Sequence, residues 1–335
     1  MVIPIVFTMI LIVLVEIPIP AYSQDHGLVI VVTFPSLAND IRQLVCSDDH
    51  VISIVPPGAD PHDYQLSVND IELLRKADLI VSTGHTPFEN RIKDLVVDGE
   101  INAVLLETPW IEGVVIKANP ATGQPNLHMP IYDPLNYVAF INNVSDTLIQ
   151  LRPRCSDLYN SRRLMVLQRV IELLSSSPRI YVDAVADKPL VQYAISWLGI
   201  RVKYLVVKEH GVPATPSDLE VIEDALARKT VRLVVVTEPA TDTVSKQLVE
   251  LASRYDVPVI HIPSPLSNGT IIDKLEYIVS QIGDPMEYYG LVNTCTSGEE
   301  IMPRSYGYIV VGGMVLASII VFMAYIVARR REEFA

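Results

Sequence analysis

Pro56-Pro57-Gly58-Ala59-Asp60-Pro61-His62-Asp63-Tyr64-Gln65-Leu66-Ser67-Val68-Asn69-Asp70 follows an apolar run, Val51 to Val55, and leads into an amphipathic segment reaching about Lys76. The run reads as a β-strand, and Pro-Pro-Gly must end it. Proline has no N–H for the ladder, and glycine relaxes the backbone into a turn. His62 is thereby presented at the carboxyl end of a strand, where open α/β sheets hold their ligands. Beyond the turn, Ser67 and Asp70 have capping-box spacing, with Asp in place of the usual Glu or Gln. Ile71, Leu73, Leu74, Ala77 and Leu79 then carry the apolar face.

Upstream, Leu28 to Phe34 is a continuous β-branched run, the pattern of a strand buried on both faces, and Ser36 starts a helix through Leu44. Downstream, Leu79 to Thr83 is another strand, and this alternation predicts a parallel sheet covered by helices. His85 and Glu89 sit on the loop after that strand, where a plain turn and helix start is preferred over a place in the same cleft. Residues 114–135 break the rhythm with a turn-rich loop carrying His128; loops of that length in a compact domain are usually functional or disordered. From Asn136 a helical period runs to about Leu174, interrupted at Pro153. The α/β rhythm then restarts. Strands are expected at Arg179–Val182, Val202–Val207, Val231–Val236 and Val257–Ile262. Helices are expected at Leu190–Leu198, Thr215–Ala227 (with a Ser217–Glu220 capping box), Thr243–Tyr255 and Asp273–Ile282.

A chain of 335 residues, 50% hydrophobic, has room for two domains. Its 26 basic against 39 acidic residues leave a charge of −13, with no basic patch outside the tail, which argues against nucleic acid as a partner. Val2 to Val15 is almost wholly apolar and is followed by Ala21-Tyr22-Ser23, so residues 1–23 read as a secretory signal, an uncleaved anchor being the alternative. Ile309 to Ala328 carries no charge and is long enough to span a bilayer. Arg329-Arg330-Arg331 follows, which puts a short tail, 329–335, in the cytoplasm and the rest of the chain outside. Cys46 and Cys155 allow one disulfide in that setting, with free thiols equally open. Asn143 and Asn268 head glycosylation sequons.

The segment from Pro56 through Leu74-Arg75-Lys76-Ala77-Asp78-Leu79-Ile80-Val81-Ser82-Thr83-Gly84 resembles the zinc- and manganese-binding solute receptors of ABC importers. In that family the turn's Pro-His supplies the first metal ligand, which implies His62. His128, followed by Tyr132-Asp133-Pro134 and Leu135-Asn136, is similar to the segment bearing the second ligand, Met129 and Pro130 departing from it. The resemblance covers roughly residues 28 to 282 and implies two α/β lobes joined by a long backbone helix. The expected organisation is an N-terminal lobe at 24–135, a linking helix at 136–175, a C-terminal lobe at 176–285, a juxtamembrane linker at 286–308 and a transmembrane helix at 309–328.

From the second lobe the resemblance implies Asp187, with Asp183 in reserve, as third ligand; helix capping is an equally good role for Asp187. The family's fourth ligand falls at Ser264, and Glu238, at a strand end, is the candidate to replace it or to orient a histidine. His261 and His210 are weaker candidates. Two histidines with one or two carboxylates suit Zn²⁺, Mn²⁺ or Fe²⁺, and ligand softness excludes Cu(I); copper(II) and nickel stay open.

The implied function is that of a membrane-anchored, extracellular receptor delivering a divalent ion to ABC permease subunits, on an archaeal type of cell surface. A surface metallohydrolase is the enzyme alternative, though the chain has no H-E-x-x-H, G-x-S-x-G or P-loop. The third possibility is a relative that has lost its metal and serves as an adhesin or other solute receptor.

Overall fold

The computed structural model describes residues 26–56, 61–209, 211–239 and 243–282. The first lobe runs β1 (Val29–Val32), α1 (Pro35–Arg42), β2 (His50–Ser53), α2 (Val68–Leu74), β3 (Leu79–Ser82), α3 (Pro87–Val97) and β4 (Val104–Glu107). Its four strands are all parallel in the order β2-β1-β3-β4. The β-branched run of β1 is the centre of that sheet, with Ile30, Val31 and Val32 fully buried.

Two helices, α4 (Pro134–Leu151) and α5 (Ser156–Ser176), join the lobes, with one turn of 3₁₀ helix at Pro153–Cys155 between them. The expected linking helix is therefore two consecutive helices, because Pro153 has no N–H to continue the first. Cys46 and Cys155 are paired as a disulfide, tying the end of α1 to this elbow. Beside it, Asp49 accepts from the backbone N–H of Leu28 and Cys46, from the Tyr159 hydroxyl, and from the buried Arg152 guanidinium. Asn143 donates its amide to Ala139 and Glu112 carbonyls, so that sequon is occupied with internal bonds.

The second lobe comprises β5 (Asp183–Ala186), α6 (Val191–Ser196), β6 (Arg201–Leu205), β7 (Val207–Glu209), β8 (Val212–Pro213), α7 (Pro216–Ala227), β9 (Leu233–Glu238), α8 (Thr243–Arg254), β10 (Val259–Pro263) and α9 (Ile271–Ser280). Its main sheet is again parallel, ordered β10-β9-β5-β6, while β7 and β8 form a separate antiparallel hairpin. The first strand starts at Asp183, later than the expected 179–182, because its ladder to β6 and β9 begins only there. The box that starts α7 uses Thr215 and Asp218, since Pro216 occupies the first helical turn and leaves Thr215 as N-cap. The 309–328 segment lies outside the described residues, and among the described residues no helix is long and apolar enough to cross a membrane.

The lobes touch through polar groups. Tyr132 donates its hydroxyl to the Pro263 carbonyl, and Arg169 on α5 pairs with Asp273 and Glu276 on α9. Asp40 on α1 accepts from the Tyr137 hydroxyl at 2.6 Å and from the Ile271 N–H at 3.0 Å, while its other oxygen has no hydrogen-bond partner among the described residues. Burial pushes this carboxyl up to about 7 against the pull of those donors and of Lys274. The folded state thus holds the proton more tightly than the unfolded chain does. The associated stability is full below about pH 4 and is lost as pH rises towards about 7. Asp40→Asn is therefore expected to gain melting temperature relative to the unaltered chain between about pH 5 and about pH 8. A gap that stays constant over that range contradicts the assignment.

Candidate metal centre

Three loops of the first lobe converge beyond the carboxyl ends of its strands. His62 lies on the connection between β2 and α2, His85 between β3 and α3, and His128 towards the end of the long loop before α4. One ligand nitrogen from each ring lies within 4.8 Å of the other two. Ring centroids are 5.4 Å apart for His62–His85, 5.3 Å for His85–His128 and 6.4 Å for His62–His128.

His85 is held by its own loop. Gly84 takes a φ of +68°, with Glu107 and Pro109 packed where a side chain would go, so a glycine is needed for the chain to turn here. Glu89, fully buried at the start of α3, accepts from the backbone N–H of Thr83, His85 and Thr86 and from the hydroxyls of Ser82, Thr83 and Thr86. Burial opposes its charge, but neighbouring His85 and these donors hold the carboxyl below the usual range. Because the Thr83 hydroxyl gives its one hydrogen to that carboxylate, its oxygen must accept from His85 Nδ1, 2.9 Å away. The neutral ring therefore carries its proton on Nδ1 and its lone pair on Nε2. Burial also pushes His85 down to about 4, so the ring is neutral and ready to ligate across the physiological range.

His128 obeys the same logic. Asn126 donates its amide nitrogen to the Pro189 carbonyl and to Gln192 Oε1, both at 2.9 Å, which fixes the orientation of its carboxamide. Its oxygen then faces His128 Nδ1 at 3.1 Å and can only accept, leaving the lone pair of the neutral ring on Nε2. Directly after it, Met129 adopts a left-handed φ of 51°, turning the chain towards α4.

The carboxylates expected from the second lobe are engaged elsewhere. Asp187 is at the carboxyl end of its strand, but its side chain turns inward. It accepts from the Thr237 N–H at 2.8 Å, the Thr237 hydroxyl at 3.1 Å and the Ser245 hydroxyl at 2.7 Å, pinning β9 to α8. Glu238 lies 3.2 Å from His261 Nδ1 and accepts from Tyr277, lining a separate cavity of about 580 Å³. Asp183 sits at the opposite end of β5, paired with exposed Arg201. Ser264 caps a local turn through the Leu266 N–H, and His210 lies outside the described residues.

Two residues stand where sequence reasoning did not put the site. His85 satisfies the same strand-end rule that singled out His62. Glu209, on the short hairpin, places Oε2 3.7 Å from His128 Nε2, and nothing periodic in the sequence marks it.

Fold and site together define a bilobal solute-binding protein with an imidazole cluster facing its second lobe. The chain belongs to the family described as zinc-uptake complex component A, periplasmic, whose model matches residues 30–284. It is 26% identical over 232 residues to the iron-binding protein YfeA of Yersinia pestis, covering 65% of this chain and 72% of that one. It is 21% identical over 210 residues to the manganese ABC transporter substrate-binding lipoprotein PsaA of Streptococcus pneumoniae, covering 58% of this chain and 67% of that one. In fold it is similar to the solute-binding protein FpvC of Pseudomonas aeruginosa, solved with Mn²⁺. There the TM-score is 0.63 at 19% identity, over 77% of this chain and 99% of that one.

Proposed function

We propose that this chain is an extracytoplasmic receptor that captures one divalent transition-metal ion, Zn²⁺ or Mn²⁺ with Fe²⁺ as a further candidate, on His62, His85 and His128 and delivers it to an ABC importer. The observation that carries this reading is the convergence of three imidazoles within 4.8 Å, two of them held in the tautomer that offers Nε2. Three neutral imidazoles suit borderline divalent ions. The names of the relatives, which include iron- and manganese-binding proteins, support cargo of that kind. Anchoring through the apolar 309–328 segment belongs to the same proposal; it rests on the charge pattern of the sequence.

Elemental analysis and titration of the full-length chain with Zn²⁺ and Mn²⁺ test the reading. One ion per chain is expected, with binding weakened by His62→Ala and by His85→Ala alike. No ion bound, or binding indifferent to both changes, sinks it.

The buried threonine behind His85 has its own expected effect. Thr83→Val keeps the shape but removes the hydroxyl that fixes the ring's tautomer, and supporting groups of this kind are typically worth about 10- to 100-fold in metal affinity. A loss in that range is the expected outcome, together with a lower melting temperature of the ion-free chain, because Glu89 and His85 Nδ1 each lose a buried partner. An unchanged dissociation constant contradicts it.

A further inference from the structure

All three histidines come from the first lobe, so nothing among them makes the ion sense the second lobe. Glu209 is a second-lobe side chain that reaches one of them. It ends β7, and its two carboxylate oxygens have different surroundings. Oε1 accepts from Asn119 Nδ2 at 2.7 Å, and Oε2 lies 3.7 Å from His128 Nε2.

Asn119 is itself immobilised. It is buried, its backbone N–H donates to the Gln124 carbonyl, its own carbonyl accepts from Gly123, and its side-chain oxygen accepts from the Ala121 N–H. That leaves its amide nitrogen to serve the second lobe, where it donates to the Lys208 carbonyl at 2.8 Å as well as to Glu209. A first-lobe turn therefore grips the hairpin at two consecutive residues and aims one carboxylate oxygen at the nitrogen that carries the lone pair of His128.

In a tetrahedral site with bonds of about 2.0–2.1 Å, neighbouring ligand atoms stand about 3.4 Å apart. The 3.7 Å separation of Glu209 Oε2 and His128 Nε2 is close to that edge. Glu209 stands outside the group of three mutually close histidines, beside His128, so it would complete the tetrahedron by moving a short way towards His62 and His85 as the second lobe closes on the ion.

We propose that Glu209 is the second lobe's ligand to the ion, oriented by Asn119, and that it sets both the grip of the closed receptor and its preference among metals. The proposal rests on the three-histidine site. With the carboxylate the donor set becomes three imidazoles and one anionic oxygen, and an oxygen donor favours Mn²⁺ more than it favours Zn²⁺.

The test compares the full-length chain with Glu209→Gln, Asn119→Ala and His62→Ala. The readouts are titrations with Zn²⁺ and Mn²⁺ chloride and X-ray absorption of the Zn²⁺-loaded protein. Glu209→Gln can still accept from Asn119 but loses the anionic donor. It is expected to bind either ion roughly 10- to 100-fold more weakly, by analogy with other groups that support a metal site, with the larger loss for Mn²⁺. The absorption spectrum is expected to lose its carboxylate contribution while keeping three imidazoles. Asn119→Ala should retain the carboxylate signature with a smaller loss of affinity. Glu209→Gln that matches the unaltered chain in affinity, metal preference and spectrum overturns the proposal while leaving the histidine site intact. Failure of the unaltered chain to bind any ion overturns the histidine site, and this inference with it.

Discussion

His128→Ala is expected to bind its ion at least roughly a hundredfold more weakly than the unaltered chain. Structural Zn²⁺ sites gain about 10–16 kcal/mol from four ligands, or about 3 kcal/mol each, and 1.4 kcal/mol is a factor of ten. His128 should lie at or above that average, because it is the ring beside Glu209 and its orientation is fixed by Asn126. Titration measures the affinity directly. Thermal unfolding gives a second reading: an ion at a hundred times its dissociation constant adds about 2.7 kcal/mol to the unaltered chain and should add almost nothing to the variant at the same concentration. The ion-free variant should melt close to the ion-free parent, since His128 sits on a loop outside both sheets. Equal metal-induced stabilisation in the two proteins contradicts the role given to His128.

Asp49→Ala is expected to cost about 3–5 kcal/mol of folding stability, the scale on which breaking a buried ion pair from one side is felt. The variant removes an acidic partner from the Arg152 guanidinium, only 7% exposed, which also pairs with Asp48. It also strips acceptors from the Leu28 and Cys46 N–H groups and from the Tyr159 hydroxyl. Each such donor is costly to leave unmet in the interior. Urea unfolding with the Cys46–Cys155 disulfide intact isolates this contribution. A shift of the midpoint by less than the equivalent of about 1 kcal/mol contradicts it, being no more than an ordinary single hydrogen bond.

Much of the fold was legible in the residues because its signals are local. Buried β-branched runs such as Leu28 to Phe34 announce parallel strands, and Ser67 with Asp70 announces a helix start that the structure shows as a complete capping box. The break in the chain before His62 was legible for the same reason, since Pro-Pro-Gly ends a strand.

What escaped was the direction of side chains. Asp187 stands at the strand end where the resemblance puts a ligand, yet its partners, Thr237 and Ser245, come from sequence about fifty residues away, and their donors turn it inward. His85 is visible at its strand end, where an ordinary turn is the sequence expectation; the local Thr83–Glu89 contacts that orient it depend on how the Thr83–Thr86 loop wraps the Glu89 carboxylate, which residue types alone do not show. Glu209 gave no signal, because Val207-Lys208-Glu209 is too short to show alternation and its hairpin partner is shorter still.

The strand order β2-β1-β3-β4 has a consequence for how such receptors change. From β1 the chain steps to one side for β2 and then crosses back to the other for β3, so the loops leaving neighbouring strands diverge and a gap opens at the strand tips. That gap is a product of connectivity, not of the residues around it. The packed sheet beneath depends on Ile30, Val31, Val32 and Ile80, all fully buried and without polar side-chain atoms. Donor groups at the tips are thus replaceable parts on an indifferent chassis. Exchanging a carboxylate on one lobe for an imidazole on the other would leave untouched the interior that keeps the chain folded.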